Sequence, residues 1–425
     1  MNRAGEVKRV VIVGGGFGGA YAAQTLAKRR RSDLEVVLID RQNFLLFYPL
    51  LIEAGVGNLE PRHVTVPIRQ FLNKNVQFLM AEVEAVDLGA QRVQFRLPDI
   101  DRHEMLHYDH LILAPGSATK MPPIPGLKEH AFELKSLKDS IEFRDRGIRL
   151  LELANAIEDP KERQAFLRIV IVGSNFSGIE LAGEYHEFLQ EQSESYPNLD
   201  PEDVEVVVVE YGSRILPAID ADLAAFARRN LERRGLRILT GTTLTEVRSD
   251  LVALTTGETV PTKTTVWCAG ITPSPLLDHI PGLPRDEKGF ILCETTSRVN
   301  GFTNVWAIGD SARIADADGK PYLATAQNAS RQGPVAAANI LRSIANEPLR
   351  PFVFSSLGSL AAIGCRTAVA RVFGIKLSGF VAWWLFRTVY LMKMPSWSRR
   401  IRIVIDWTLS LFFRQEPVQL GVRDR

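Results

Sequence analysis

The stretch VVIVGGGFGGAYAAQTLAKR, residues 10–29, decides the fold, because a turn made almost entirely of glycine follows an aliphatic run. The short β-branched run predicts a buried parallel strand, and the alanine-rich residues 20–27 predict a helix. Gly14, Gly16 and Gly19 have the spacing of a dinucleotide-binding turn. The first permits the tight turn, the second lets the backbone approach a pyrophosphate, and the third lets the helix pack closely on the strand.

An acidic residue completes this first unit. A second aliphatic run, residues 34–39, ends in Asp40, which lies 26 positions after Gly14. A carboxylate at this position accepts hydrogen bonds from the ribose hydroxyls of a bound dinucleotide. A glycine-rich turn alone can be purely structural. A strand, a turn, a helix, a second strand and a terminal acid in this order predict a nucleotide site.

The arrangement returns with one change in RIVIVGSNFSGIELAGEY, residues 168–185. Asn175 replaces the middle glycine; asparagine tolerates a positive φ better than most residues, but its side chain takes up space beside a pyrophosphate. Glu210 ends the next predicted strand and suits a free ribose 2′-hydroxyl, which favours NADH. Arg214 lies four residues further on and leaves NADPH disfavoured rather than excluded. A βαβ unit that binds nothing is the alternative for this second turn.

Two such turns predict two different nucleotides. The complete turn suits a flavin dinucleotide that is held tightly. The imperfect turn suits a nicotinamide dinucleotide that must come and go, because its ligand tolerates a looser fit.

The composition limits the possible classes. A chain of 425 residues predicts two or three domains, and 46% apolar residues indicate a globular protein. The formal net charge of +2 does not favour nucleic acid as a partner. Three widely spaced cysteines without a CxxC pair predict neither a disulfide framework nor a metal centre. The first residues lack the pattern of a signal peptide, so a cytoplasmic compartment is expected.

Three later phrases resemble the punctuation of flavoproteins that carry two dinucleotide-binding domains. They are YDHLILAPGS at residues 108–117, TVWCAGI at 265–271 and TNVWAIGDS at 303–311. In that class the first phrase returns the chain to the FAD domain, and the aspartate of the last, here Asp310, holds the ribityl chain of the flavin. The first phrase has a proline where the class has threonine, and an N-cap is the alternative role for Asp310.

The resemblance implies an α/β fold with two Rossmann-like dinucleotide-binding domains of the glutathione-reductase type, followed by C-terminal amphipathic helices. The expected domains are an FAD-binding domain in two parts, an inserted NAD(H)-binding domain and a membrane-anchoring or dimer region. Their expected ranges are 1–116 and 273–350 for FAD, 117–272 for NAD(H), and 351–425 for the C-terminal region.

Further phrases resemble the type II NADH dehydrogenases, the alternative NADH:quinone oxidoreductases. No CxxxxC pair follows the first turn, unlike in disulfide reductases of this fold. Residues 42–61, QNFLLFYPLLIEAGVGNLEP, share Phe, Pro, Leu and Gly positions with a phrase of that family. IELAG at 179–183, TAQ at 325–327, and the segments 358–370 and 377–385 match further phrases. The resemblance implies that NADH reduces FAD and that two electrons pass to menaquinone or ubiquinone, without proton pumping.

The resemblance also implies the site residues, with Glu180 and Gln327 as the catalytic pair. Glu180 is a candidate for proton delivery where nicotinamide and flavin meet; the alternative is that it complements the helix dipole. The residues expected to bind FAD are Gly14, Gly16, Phe17, Gly18, Gly19, Asp40, Arg41, Pro49, Val83, Ala114, Gly116, Gly309, Asp310, Ala326 and Gln327. Those expected to bind NADH are Gly173, Asn175, Phe176, Ser177, Gly178, Glu180, Glu210, Ala269 and Gly270. Cys268 and Cys365 are expected to pack rather than react.

Two departures from the family concern the acceptor. Arg331 stands where many members have a second glutamine, followed here by Gln332, and Leu357 stands where a lysine is frequent. They leave open a sulfide:quinone reductase, a reductase with a soluble acceptor, and a non-catalytic nucleotide-sensing or scaffold protein.

The C-terminal segment predicts attachment to a membrane surface. From residue 366 onward it holds eleven Lys or Arg against three Asp or Glu, and four of the six tryptophans. The apolar run 379–392 is interrupted by Arg387 and is shorter than the roughly 20 residues that span a bilayer. With the amphipathic run 401–413 it predicts helices that lie in the interface, at the cytoplasmic face of the cell membrane. Packing against the protein, or a homodimer contact, is the alternative.

Overall fold

The computed structural model describes residues 7–29, 31–72, 74–356 and 358–421, and the chain forms two compact units. The first unit consists of Met1–Leu46, Thr65–Ala118 and Ile271–Ser355, and the second of Phe47–Val64, Thr119–Gly270 and Ser356–Arg425. The sequence placed residues 47–64 in the first FAD segment. They group with the second unit because Ile52 and Val56 belong to its apolar core.

The helices and strands have the following bounds. The helices are α1 (Phe17–Ala27), α2 (Leu51–Gly55), α3 (Ile68–Phe71), α4 (Leu127–His130), α5 (Leu137–Ala156), α6 (Pro160–Leu167), α7 (Phe176–Ser193), α8 (Ala221–Arg233), α9 (Ala326–Ile344), α10 (Phe380–Lys393) and α11 (Trp397–Leu409). The strands are β1 (Lys8–Val13), β2 (Leu34–Asp40), β3 (Phe44–Leu46), β4 (Thr65–Pro67), β5 (Val76–Met80), β6 (Glu82–Asp87), β7 (Arg92–Leu97), β8 (Arg102–His107), β9 (His110–Leu113), β10 (Ser117–Thr119), β11 (Ala131–Phe132), β12 (Arg168–Val172), β13 (Glu205–Glu210), β14 (Arg237–Thr240), β15 (Leu244–Val247), β16 (Leu251–Leu254), β17 (Thr259–Pro261), β18 (Thr264–Trp267), β19 (Ile271–Pro273), β20 (Ile291–Leu292), β21 (Val305–Ala307), β22 (Ala312–Arg313), β23 (Gly358–Ala362), β24 (Ala368–Val372) and β25 (Ile375–Gly379).

The first unit is built on a parallel sheet in the order β21-β9-β1-β2-β5. Its strands are apolar on both faces, as a parallel sheet covered on both sides requires. Val10 and Ile12 pack in a core with α1 and α9, while Val11 and Val13 pack in a second core with β7. The carboxyl ends of β1, β2, β9 and β21 therefore lie at one edge, where ligands bind in open α/β sheets.

The second unit repeats this construction in the order β11-β18-β12-β13-β14. Ile169 and Ile171 pack with α5 and α7, and Val170 and Val172 pack with the antiparallel sheet of β15, β16 and β17. The strand of each glycine turn, β1 or β12, lies between the strand that carries the acid and the strand of a later small-residue phrase. The predicted pair of Rossmann-like units is thus present.

The C-terminal part of the second unit has an antiparallel sheet, β23-β24-β25, followed by α10 and α11. The sequence predicted a second helix over 401–413; α11 instead begins at Trp397 and ends at Leu409. The helix therefore includes Arg399 and Arg400, which the sequence placed as flanking charges. In the part of the chain that the structure describes, no helix has the length and apolar character needed to cross a bilayer.

Candidate functional site

The first glycine turn brings β1 close to β9 and α1. Gly14 has φ +100°, and a Cβ on it would lie 2.1 Å from the carbonyl oxygen of Ala114. A Cβ on Gly19 would lie 1.8 Å from the carbonyl oxygen of Gly14. No other residue fits either position, so these two glycines are required by the protein's own packing.

Gly16 has a different reason to be glycine. Its backbone is extended, with φ −68° and ψ −168°, a conformation that any residue can adopt. A Cβ built on it meets no protein atom within 4 Å. The space kept open lies at the N-terminus of α1, where backbone N–H groups and the helix dipole favour a phosphate. The turn thus fits the pyrophosphate of FAD, and Phe17, Gly18 and Gly19 form the first turn of α1.

Asp40 lies beside this turn, as predicted, and its carboxylate is fixed by backbone groups. Oδ2 accepts a hydrogen bond from the Gly15 N–H at 2.5 Å, and Oδ1 accepts one from the Gln42 N–H at 2.7 Å. Burial raises the pKa of the carboxyl. Both oxygens keep a second acceptor position, which a ribose hydroxyl can use. Arg41, the next residue, is exposed.

The phrases that end β9 and β21 are tied together. The Ser117 hydroxyl donates a hydrogen bond to Asp310 Oδ2 at 3.0 Å, and the Ser311 hydroxyl donates one to the Gly116 carbonyl. Gly309 donates its N–H to Oε1 of the buried Gln332 at 2.8 Å. The structure therefore brings Gly116, Gly309 and Asp310 together, and it assigns Gln332, which the sequence left without a role, to holding this turn.

Helix α9 begins next to the same turn. Thr325 is its N-cap and accepts a hydrogen bond from the Asn328 N–H at 3.2 Å, so Ala326 and Gln327 are the first residues of the helix. A Cβ on Gly333 would lie 2.4 Å from the carbonyl oxygen of Gly18. Because only glycine fits there, α9 packs directly on α1.

Two other residues expected to bind FAD lie elsewhere. Val83 is in β6, which follows Ala81, whose N–H donates to the Asp40 carbonyl at 2.9 Å. Val83 is therefore close in sequence to the first site. Pro49 belongs to the second unit, in the short 3₁₀ helix Tyr48–Leu50.

The second glycine turn repeats the close contacts of the first. Gly173 has φ +98°, and a Cβ on it would lie 2.9 Å from the backbone of Ala269. A Cβ on Gly178 would lie 1.9 Å from the carbonyl oxygen of Gly173. Phe176 and Ser177 begin α7. Gly270, with φ +77°, follows directly after Ala269 in the same loop.

Asn175 occupies the position that corresponds to Gly16. Its backbone has φ −65° and ψ −177°, close to the φ −68° and ψ −168° of Gly16, so the positive φ that asparagine tolerates is not needed here. The Asn175 side chain is exposed at the start of α7. The two turns differ in open space, not in backbone conformation.

Glu210 makes the contacts that Asp40 makes in the first unit. Oε2 accepts hydrogen bonds from the Ser174 N–H at 2.8 Å and hydroxyl at 2.6 Å, and Oε1 accepts one from the Gly212 N–H at 2.6 Å. Arg214 is turned toward its own loop, because it donates to the carbonyls of Ile219 at 2.9 Å and Pro217 at 2.8 Å.

Glu180, in α7, lies in a group of buried acids. Its Oε1 accepts a weak hydrogen bond from the Ala362 N–H at 3.4 Å. Burial, with Glu184 and Glu53 nearby, raises its pKa well above the usual value. Burial, with Glu53 and Glu187, raises the pKa of Glu184 to about 8. At neutral pH both carboxyls therefore favour the protonated form, which can donate a proton.

The sequence did not predict the partners of Glu53. Its Oε2 accepts a hydrogen bond from the Trp407 indole N–H at 2.6 Å and one from Arg387 Nη2 at 3.3 Å. The Arg387 guanidinium lies between two tryptophan rings, 4.2 Å from the centroid of Trp383 and 4.6 Å from that of Trp407. An acid in the apolar run LLIEAG and an arginine in the apolar run of α10 were the available signals.

The three cysteines are free thiols. Burial raises the pKa of Cys268 and of Cys293 to about 12, and that of Cys365 to about 11. The expectation that Cys365 packs in the interior is wrong: it is exposed, with φ +46°, in a turn whose N–H groups are directed to Glu187. None of the three is a thiolate at neutral pH.

Of the two departures from the family pattern, the structure describes one. Arg331 is half-buried in α9 and donates a hydrogen bond to the Gln327 carbonyl at 2.8 Å. Leu357 lies outside the described residues.

Comparisons with known proteins agree with this geometry. Residues 8–333 match the model of the pyridine nucleotide-disulphide oxidoreductase family, and residues 357–416 match the model of the NDH2 C-terminal domain. A demethylphylloquinone reductase of Synechocystis is 32% identical over 96% of this chain and 98% of its own length. A type II NADH:quinone oxidoreductase of Mycobacterium tuberculosis is 28% identical over 98% of this chain and 90% of its own. NDH2 from Plasmodium falciparum, solved in complex with NADH, has the same fold, with a TM-score of 0.90, 19% identity, and coverage of 97% of this chain and 100% of that chain.

The fold and the two nucleotide turns define an FAD-dependent flavoprotein with two dinucleotide-binding units. The chain belongs to the pyridine nucleotide-disulphide oxidoreductase family, and within it to the type II NADH dehydrogenases. The sequence-based predictions of the fold class, of an NADH-oxidising enzyme with a quinone acceptor, and of FAD with NADH as co-substrate are confirmed. The individual site residues stay predictions.

Proposed function

We propose that the first unit holds FAD permanently, that the second binds NADH reversibly, and that the final acceptor is a membrane quinone. The observation that carries the proposal is the pair of turns with matching backbones, of which one keeps open space at Gly16 and the other fills it with Asn175. A ligand that never leaves benefits from the closest approach of the backbone. A ligand that exchanges does not need it.

FAD has its pyrophosphate at Gly14–Gly19, a ribose at Asp40 and its ribityl chain at Asp310 in this proposal. Asp310 is oriented by the Ser117 hydroxyl, and its turn is held by Gln332. When bound, FAD accepts a hydride from NADH and supplies electrons to the acceptor. The protein's own contribution is to fix these carboxylates before the cofactor binds, which lowers the cost of ordering them.

NADH has its pyrophosphate at Gly173–Gly178 and its adenosine ribose at Glu210. Arg214 is engaged with the carbonyls of Pro217 and Ile219, so it does not face a 2′-phosphate. A 2′-phosphate placed at Glu210 would also meet a carboxylate of like charge. Both observations support NADH rather than NADPH as the substrate.

Glu210→Ala should raise the KM for NADH about tenfold and change kcat little, because a ribose contact is made equally in the ground state and the transition state. The measurement is steady-state oxidation of NADH with 2-methyl-1,4-naphthoquinone. Glu258→Ala, which removes an exposed acid of the same unit paired with Arg237, is the control. An unchanged KM for NADH in Glu210→Ala would place the ribose elsewhere.

Glu180 is the proposed proton source for the reduced acceptor. Its raised pKa keeps the carboxyl protonated at neutral pH, so it can donate a proton when negative charge develops nearby. Gln327, at the start of α9, is proposed to contact the quinone with its side-chain amide. A helix-dipole role for Glu180 would not require these neighbouring acids.

The proposed contact with the membrane is the exposed face of α10 and α11. The relative exposure of five large apolar side chains there lies between 51% and 77%. They are Phe380, Trp384, Ile401, Ile405 and Phe412. Apolar side chains with tryptophan and arginine nearby suit a helix that lies in the lipid interface. We propose peripheral attachment at the cytoplasmic face; a homodimer through the same face is the second candidate.

Replacing Trp384, Ile401 and Phe412 together with serine should abolish sedimentation with anionic lipid vesicles, since each buried large apolar side chain contributes roughly 1.5–3 kcal/mol. The control replaces Ile100 and Met105, which are 67% and 66% exposed in the first unit, with serine. Unchanged sedimentation of the triple variant would reject the membrane role. A change in the sedimentation coefficient without lipid would instead indicate the dimer.

The proposal as a whole is tested on the purified protein. It should be yellow with FAD bound and should oxidise NADH only when a quinone is present. A folded, colourless preparation, or oxidation of NADH with no quinone reduced, would contradict it. Sulfide should not replace NADH, because the pKa of each cysteine thiol is raised by burial and a sulfur relay requires a thiolate.

A further inference from the structure

Arg331 lies on the helix that forms one side of the first nucleotide site. Its sequence neighbours Gln332 and Gly333 are buried against that site: Gln332 accepts the hydrogen bond from the Gly309 N–H, and a Cβ on Gly333 would clash with the Gly18 carbonyl. Arg331 is half-buried and belongs to the same helical turn. Its charge is therefore fixed close to the place where the redox group is proposed to bind.

The Arg331 guanidinium is held in position without a negative partner. Its Cζ lies 4.2 Å from the centroid of the Phe354 ring, and its Nη1 donates to the Gln327 carbonyl at 2.8 Å. Within residues 7–29, 31–72, 74–356 and 358–421, no carboxylate lies within ion-pair distance of it. Burial lowers its pKa, yet an arginine remains charged in a protein. The result is a rigid, uncompensated cation.

The surroundings of this cation are aromatic and apolar. Phe354 follows Phe352, whose ring centroid lies 4.8 Å from that of Tyr322 and 6.5 Å from that of Phe354. Leu323 and Val353 in the same two segments are 71% and 75% exposed. A flat apolar ring that carries negative charge is the ligand that suits both the apolar side chains and the guanidinium.

We propose that Arg331 is a specificity-determining residue of the acceptor site, and that it favours quinones whose ring carries a negative charge over neutral quinones of the same size. This inference rests on the proposed NADH:quinone function. The effect is electrostatic, because an arginine does not give up a proton at neutral pH. A glutamine at this position would supply hydrogen bonds but no charge.

The test compares two naphthoquinones of similar size on the flavin-loaded protein. The first, 2-hydroxy-1,4-naphthoquinone, is an anion at neutral pH, and the second, 2-methyl-1,4-naphthoquinone, is neutral. Arg331→Gln should lower the ratio of their kcat/KM values about tenfold relative to the natural protein. Comparison between proteins cancels the intrinsic reactivity of each quinone. Arg331→Lys, which keeps the charge but not the planar stacking, should give an intermediate ratio.

A matched control comes from the same helix. Arg342→Gln makes the same change of net charge but breaks only the contact with Glu347, so it should leave the ratio unchanged. Binding gives an independent readout: isothermal titration with 1-hydroxy-2-naphthoate, an anion that is not a quinone, should show weaker binding to Arg331→Gln, whereas neutral 1-naphthol should bind both proteins equally.

The outcomes separate the two proposals. If Arg331→Gln reduces both quinones in the natural ratio, this inference is wrong and the proposed function stands. An equal loss in Arg342→Gln would also overturn it, because net charge rather than position would then explain the preference. If the natural protein reduces neither quinone with NADH, the proposed function fails, and this inference fails with it.

Discussion

A Gly16→Asn variant should fold normally and yet purify almost free of flavin, with FAD occupancy reduced at least about tenfold. Folding should be unaffected because Gly16 has an extended backbone and no protein atom lies within 4 Å of a Cβ built there. Asn175 already occupies the same backbone conformation in the second unit. The lost space is the space that a pyrophosphate needs at the N-terminus of α1.

Two measurements separate binding from folding. Flavin released by heating is quantified per mole of protein, and the far-UV circular dichroism spectrum with the thermal unfolding profile reports the fold. The reciprocal variant, Asn175→Gly, is the matched control: it should retain FAD fully and bind NADH at least as tightly. Gly19→Ala is the comparison for a folding defect, because its Cβ would lie 1.8 Å from the Gly14 carbonyl oxygen.

A yellow Gly16→Asn protein with natural flavin content would contradict the assignment of FAD to the first turn. Loss of FAD in Asn175→Gly, with FAD kept in Gly16→Asn, would reverse the assignment of the two nucleotides. A Gly16→Asn protein that fails to fold would show that the turn is shaped for packing, as Gly14 and Gly19 are.

The two nucleotide units could be predicted from the sequence because their information is local. A tight turn and a close helix contact leave few residue choices, so Gly14, Gly19, Gly173 and Gly178 stand at fixed spacings. The spacing also placed each acid at the end of the second strand. What it did not give is the orientation of those acids, which depends on N–H groups such as that of Gly15.

The buried charges could not be predicted because they pair over long distances in the chain. Glu53 meets Arg387 and Trp407 across 334 and 354 positions, and no periodic pattern links them. Gln332 was visible only as the neighbour of Arg331. The start of α11 at Trp397 was missed because the first turn of that helix is polar and resembles a flanking segment.

Glu184→Gln should raise the stability of the protein at pH 8.5 by about 2 kcal/mol and have little effect near pH 5. Burial and neighbouring acids raise the pKa of Glu184 to about 8 from its usual 4.5, against smaller opposing effects of Arg387 and Arg234. Between these two values the folded protein keeps a proton that the unfolded chain has lost. Stability therefore falls as the pH rises through this range, and the uncharged amide of glutamine removes that dependence.

The measurement is the thermal midpoint, followed by tryptophan fluorescence at several pH values between about 5 and 8.5. The midpoint of the natural protein should fall as the pH rises, and that of Glu184→Gln should fall less. Glu232→Gln, which removes an exposed acid paired with Arg228 on α8, should leave the pH dependence unchanged. If the curves of Glu184→Gln and the natural protein run parallel, Glu184 is already charged at neutral pH. Glu180, buried in the same group of acids, would then lose the main reason for holding a proton that it can donate.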